Sequence, residues 1–150
     1  WPTTFCHTYN CPRIPDNFTI HGLWPDMHQN TLQYCDTEKT YSTIKDQYLK
    51  DALDKRWTQL KYDQAYGLKS QPFWREQFNK HGTCSSNLYN QDAYFRLAMA
   101  LKDRYDLLRI LGNQGISPGS RYTFKQINDA IEKVTNNKAP SIKCLGPELY

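Results

Sequence analysis

Two short segments of this chain of 150 residues could do acid–base chemistry: IHGLWPD at 20–26 and KHGTC at 80–84. Each places a histidine directly before a glycine, at the end of a regular element. An imidazole titrates near neutrality, so two of them facing one another across a cleft supply a general acid and a general base together. That pair suits cleavage of a phosphodiester whose own 2′-hydroxyl is the nucleophile. One ring takes the hydroxyl proton and the other protonates the leaving 5′-oxygen. Charge then builds on the phosphoryl oxygens, and Lys80, beside His81, is placed to offset it. Such a reaction requires no metal and no cofactor, and the five cysteines lack the C-x-x-C or His–Cys spacing of a zinc site. Which histidine is the acid and which the base, the residues leave open.

The longer stretch FWREQFNKHGTC (73–84) also holds a carboxylate, Glu76, five residues before His81. A helix turns once per ~3.6 residues, so Gln77 at i−4 shares the histidine's face and Glu76 is rotated away. By register the site is Gln77, Lys80 and His81, with Glu76 beside it. Glutamine can donate an N–H to a phosphoryl oxygen and accept through its carbonyl, but it cannot act as a base.

These residues need elements to hold them. In NFTIHGLW (17–24), Phe18, Ile20 and Trp24 alternate with Thr19 and His21, which predicts a strand with one buried face, ended by Pro25 and Asp26. Trp24 is expected to pack under this strand and orient His21. From 41 to 60, Ile44, Tyr48, Leu49, Leu53, Trp57 and Leu60 recur at helical spacing and predict one or two helices. Pro72 suits a first helical position and Gly82 a C-terminal stop after Trp74 and Phe78. A helix is predicted over 90–112 from Tyr94, Leu97, Ala98, Leu101, Tyr105 and Leu108, ended by Gly112. Another follows Thr123, with Phe124, Ile127, Ile131 and Val134 on one face. The class is α+β, in a single domain without internal repeats or low-complexity segments.

The net charge of +4 is compatible with an anionic partner but forms no basic run, so it does not decide one. No apolar stretch approaches the ~20 residues that span a membrane. The cysteines at 6, 11, 35, 84 and 144 indicate an oxidising compartment, and Cys6 and Cys11 are close enough to close a small loop. Asn17-Phe18-Thr19 is an N-glycosylation acceptor, which agrees with secretion. The odd count leaves one thiol over. Together with the abrupt start at Trp1, it suggests a mature secreted domain truncated at both ends. His7, in the Cys6–Cys11 loop, and His28, after the Pro25-Asp26 turn, read as exposed structural histidines.

IHGLWPD and FW-x-x-Q-F-x-KHGTC resemble the two active-site segments of the ribonuclease T2 family. The similarity continues through WPTTFC, NFTIHGLWPD and YFRLAMALKDRYDLLRILGNQGIS, across nearly the whole chain. It looks nearest to the S-RNases of nightshade-type plants, the style glycoproteins of gametophytic self-incompatibility. The resemblance implies a disulfide-stapled α+β fold, a central antiparallel sheet flanked by several helices. It implies cleavage of single-stranded RNA through a 2′,3′-cyclic phosphate to 3′-phosphate ends, with no cofactor. His21 becomes the first catalytic histidine and proton donor, His81 the second and the acceptor in the cyclising step, and Lys80 the stabiliser of phosphate charge. Phe73 and Trp74 would flank the substrate cleft, where an aromatic face can stack a base.

Gln77 stands where many members have glutamate, and Glu76 where others have histidine or aspartate; activity is expected to survive, weakened. Cys6 would pair with Cys11, Cys35 with Cys84, and Cys144 with a cysteine outside the sequence. The implied partners are the RNA and pollen-side F-box ubiquitin-ligase components, for a monomer secreted to the stylar matrix without membrane attachment. Residues 37–55 fall where S-RNases are hypervariable. An S-like ribonuclease of phosphate scavenging or defence, and a catalytically weakened binding or storage homologue, are the alternatives.

Overall fold

The computed structural model describes residues 2–27, 30–145 and 148–149, with side chains through residue 143. Helix α1 (Pro2–Thr8) is tied to the following loop by the Cys6–Cys11 disulfide. A segment without regular structure then carries His21 to β1 (Asp26–Met27), which pairs antiparallel with β2 (Asn30–Thr31), Asp26 opposite Thr31. His28 lies outside the described residues.

Helix starts follow local sequence. Asp46, Asp63, Asn90 and Asp106 each accept free N–H groups at the heads of α2 (Gln47–Arg56), α3 (Gln64–Ser70), α5 (Gln91–Arg104) and α6 (Leu107–Gly112). Thr123 and Gln126 form a reciprocal capping box at α7 (Phe124–Glu132). Between α3 and α5 lies α4 (Pro72–Lys80), followed by a 3₁₀ turn at Gly82–Ser85. A second antiparallel pair, β3 (Cys144–Leu145) with β4 (Glu148–Leu149), follows α7. The molecule is α+β, mainly helical, with small antiparallel ladders and two described disulfides. Among the described residues no helix is long and apolar enough to cross a membrane.

Three expectations are corrected. The stretch 17–24 has no strand partner among the described residues; its backbone is held by helices instead. Ile20 N–H donates to Arg56 O at 2.7 Å, Trp57 Nε1 to His21 O at 3.2 Å, and the Tyr94 hydroxyl to Leu23 O at 2.7 Å. The helix expected over 90–112 breaks at Tyr105, because the Asp106 side chain takes the Arg109 N–H and starts a new helix. In α7 the buried residues are Ala130 and Ile131; Phe124 and Val134, outside its middle turns, are exposed.

The main core gathers Leu49, Leu53, Trp57, Trp74, Phe78, Tyr94 and Phe95 from α2, α4 and α5. Each fully buried large side chain contributes about 2–3 kcal/mol. A second, smaller cluster joins Leu111, Ile116, Ala130 and Ile131, with Phe18 and Ile142 packed against it.

Two buried glutamines decide where α4 begins. Gln71 adopts a left-handed conformation (φ 53°), which costs a non-glycine residue about 1 kcal/mol or more. Its side chain offsets this: Oε1 accepts from the Tyr41 hydroxyl and Ile44 N–H, and Nε2 donates to Ile44 O and Leu68 O. Gln59 spans the same corner, donating to Gly67 O at 2.6 Å and accepting from Phe73 N–H at 3.1 Å, one of the helix's free amides. The far end of α4 is fixed by the Cys35–Cys84 disulfide and by Tyr34 N–H donating to Lys80 O at 2.7 Å. Closing a loop of this length contributes about 4 kcal/mol.

Candidate active site

Both His–Gly pairs turn out to be close-approach points. A Cβ on Gly22 would collide with the Trp24 indole and the Gln77 amide oxygen, and a Cβ on Gly82 would collide with the Phe78 ring. Glycine at 22 lets Trp24 and Gln77 meet over the backbone beside His21, where Trp24 Nε1 donates to Gln77 Oε1 at 3.3 Å. Glycine at 82 lets the chain leave α4 tightly against Phe78, with His81 as the C-terminal cap residue.

The result is one cleft of about 410 Å³ with His21, Trp24, Phe73, Glu76, Gln77, Lys80 and His81 on its walls. The indole of Trp24 neighbours both imidazoles, its centroid 5.4 Å from His21 and 5.3 Å from His81. The Phe73 ring centroid lies 5.9 Å from that of His21. His21 is half-buried and His81 only 4% exposed. Among the described residues the buried His81 Nδ1 has no hydrogen-bond partner.

Burial holds the His21 pKa below its ordinary value, and the neighbouring charges of His81 and Lys80 lower it further. His81 is also lowered, first by burial; a hydrogen bond with the Leu32 backbone opposes this, Lys80 adds to it and Glu76 opposes it. Protonating one ring therefore disfavours protonating the other, which is the behaviour a shared acid–base pair needs. The cleft offers two imidazoles, one ammonium, an amide and aromatic walls. Among the described residues no group of three His, Cys, Asp or Glu side chains is placed to hold a metal ion.

Of the residues expected at the site, His21, Gln77, His81, Phe73, Glu76 and Lys80 all line this cleft. Trp74 does not. It is fully buried, donates Nε1 to Trp57 O at 2.8 Å and belongs to the core, because adjacent helical residues point about 100° apart and Phe73 takes the cleft face. Glu76 is exposed at the cleft wall, so the helical offset does not remove it from the site. Trp24 is 52% exposed and sits in the cleft rather than under a strand. Gln59, Leu60, Lys61, Tyr62 and Phe5 also line the cleft, with Thr31 and Gln33; they come from loops, from β2 and from α1, where no periodicity marks them. Cys6–Cys11 and Cys35–Cys84 are formed, Asn17 and His7 are exposed, and the Cys144 side chain lies outside the described ones.

The ribonuclease T2 family matches residues 1–149. Ribonuclease S-7 of Nicotiana alata is 51% identical over 146 residues, which take in 96% of this chain and 66% of that protein. The gametophytic self-incompatibility associated SF11-RNase of Nicotiana alata superposes with a TM-score of 0.92 at 49% identity, covering 100% of this chain and 79% of that one. RNase NT, solved in complex with 5′-AMP, superposes with a TM-score of 0.81 at 32% identity, covering 97% of this chain and 73% of that one. With two His–Gly segments facing one cleft and relatives matched along its whole length, the chain belongs to the ribonuclease T2 family of RNA-cleaving enzymes.

Proposed function

We propose that the protein is a secreted endoribonuclease that cleaves single-stranded RNA by transphosphorylation, through a 2′,3′-cyclic phosphate to 3′-phosphate ends. The observation that carries this is the placement of two imidazoles against the same Trp24 indole in one cleft. In the first step the 2′-oxygen attacks phosphorus, His81 accepts its proton, and His21 protonates the 5′-oxygen as the P–O bond breaks. In the second step water attacks the cyclic phosphate and the roles reverse. Lys80 offsets the charge on the phosphoryl oxygens. The Gln77 carbonyl is engaged by Trp24, which leaves its NH₂ group to donate to the phosphoryl group. Phe73 stacks a base next to His21. A structural relative holding 5′-AMP agrees with a nucleotide-sized cleft.

The biological role that fits best is that of a pistil S-RNase. Its exposed 37–55 surface, on which Tyr48 projects at 78% exposure, would meet pollen F-box ubiquitin-ligase components, and Asn17 would carry glycan. Hydrolysis of single-stranded RNA by the protein and by His21→Ala and His81→Ala variants tests the chemistry. Each variant is expected to lose about a hundred- to ten-thousandfold; equal rates in all three would sink the reading. Expression confined to the style, co-segregating with pollen rejection, separates this role from an S-like one. The amide at Gln77 is the feature that favours a catalytically weakened homologue.

A further inference from the structure

We infer that Trp57 is a positioning residue for the reaction: its indole N–H and its carbonyl together fix His21 relative to α4, and so set the spacing of the two imidazoles. This role presupposes the ribonuclease reading above. It begins with a backbone that has to be held. The segment 17–24 has no strand partner among the described residues, yet it carries the half-buried His21. A helix leaves its last carbonyls without partners inside the helix, and the end of α2 puts two of them to use. Arg56 O accepts from Ile20 N–H at 2.7 Å, and Trp57 O accepts from Trp74 Nε1 at 2.8 Å. Trp57 Nε1 then donates to His21 O at 3.2 Å. Two adjacent residues at the end of α2 thus grip two adjacent residues of the His21 segment.

Trp57 stands where the two halves of the site meet. Its side chain is fully buried, with the Tyr94 and Phe95 ring centroids 6.1 Å and 5.3 Å from its own, so packing sets the direction of the N–H. One hydrogen bond leads to His21. The other leads to Trp74 on α4, the helix that carries Gln77 and Lys80 and is capped by His81, whose N–H donates to Gln77 O at 2.9 Å. A single buried residue therefore joins both histidine segments. The indole N–H is the only polar group of that side chain and donates only. A phenyl ring in its place would fill space and leave His21 O without this donor. Proton transfer is sensitive to such a loss, since displacing a reacting group by ~1 Å can cost about a hundredfold. Trp57 does not line the cleft, so it acts through His21.

The test changes one atom. β-(3-Benzothienyl)alanine at position 57 keeps the fused rings and puts sulfur where the N–H stood, while Trp57→Phe removes the donor and part of the ring. On a dinucleoside monophosphate, kcat of the benzothienyl protein is expected to fall about ten- to a hundredfold, with KM within about twofold of wild type. Thermal unfolding shows that the loss belongs to a folded protein, and Trp57→Phe should lose at least as much. A wild-type kcat in the benzothienyl protein overturns the role even where Trp57→Phe is inactive, because the ring alone would then matter. A loss confined to KM overturns it as well. The His21 ring Cε1–H signal in a proton–carbon NMR spectrum gives a readout independent of turnover. It is expected to shift or broaden in the benzothienyl protein while that of the exposed His7 stays in place. An unchanged His21 signal overturns the role whether or not the protein cleaves RNA. Absence of cleavage by the wild type would sink the ribonuclease reading by itself, and the NMR comparison would still decide whether Trp57 places His21.

Discussion

The described residues form two apolar cores, and they are built differently. Around α2, α4 and α5 the core is aromatic, with Trp57, Trp74, Tyr94 and Phe95 fully enclosed and Gln59, Gln71, Gln77 and His81 buried among them. Around α6 and α7 it is a patch of Leu111, Ile116, Ala130 and Ile131. That patch is supported by a capping box and by surface pairs such as Lys125 with Asp129 and Lys133 with Gln114, both 2.6 Å. The difference shows where geometry is over-determined. The backbone on either side of His21 is tied to residues of the first core and of α2, and Phe18 of the same segment packs against the second. Buried aromatic rings and buried hydrogen bonds are concentrated around the cleft that holds the two imidazoles.

Truncation should break the two cores unequally. Trp74→Ala removes a fully buried ring and the bond to Trp57 O, at an expected cost of about 3–5 kcal/mol, with activity lost as α4 slips. Ile131→Ala, at the edge of the smaller cluster, should cost only about 2 kcal/mol and leave turnover of the folded protein intact. Urea unfolding alongside RNA hydrolysis measures both; equal costs would erase the contrast. Next in size is Lys80→Gln. Both histidines lie below their ordinary pKa, so the protonated acid is lost early as pH rises, and the bell of kcat/KM should peak on the acid side of about 6.5. Removing the Lys80 charge raises both imidazole pKa values. The bell should therefore move to higher pH while its height falls about a hundredfold. A lower bell that does not move would mean that Lys80 acts on the phosphate alone. Gln77→Glu is a smaller step. The carboxylate still accepts from Trp24 Nε1 and favours imidazolium, so turnover near neutral pH should rise by up to about tenfold. An unchanged rate places catalysis on the histidines and Lys80.

What the sequence disclosed follows the same division. His21, Lys80, His81 and Gln77 were legible because contiguous segments carry them, and the helix starts were legible because a cap is a local hydrogen bond. Trp24 was misplaced because alternation assigns a face only when a strand has a ladder to lie in; here the segment is held by helices and the indole swings into the cleft. Its signal was Gly22, a residue without a Cβ wedged between the histidine and the tryptophan. Trp74 was drawn towards the substrate by its neighbour Phe73, although its i+4 spacing to the buried Phe78 already marked it as core. Phe5, Gln59 and Lys61 reach the cleft from regions distant in sequence, and no local pattern can announce a contact formed only by the tertiary fold.

The smallest effect belongs to the second core and is the cleanest probe of its independence. Thr123 accepts from Gln126 N–H at 3.2 Å while Gln126 Oε1 accepts from Thr123 N–H at 2.8 Å, so Thr123→Ala removes one half of the box and leaves the other. The expected loss is about 1 kcal/mol, read as a shift of the urea midpoint without a change of slope. Nothing in α7 appears on the cleft wall, so kcat and the pH profile should stay at wild-type values in the folded protein. A loss of turnover larger than the loss of folded protein would show that the smaller core reaches His21 through Phe18. The two cores would then be one mechanical unit, the aromatic one setting the histidine spacing and the aliphatic one holding the strand-like segment from behind.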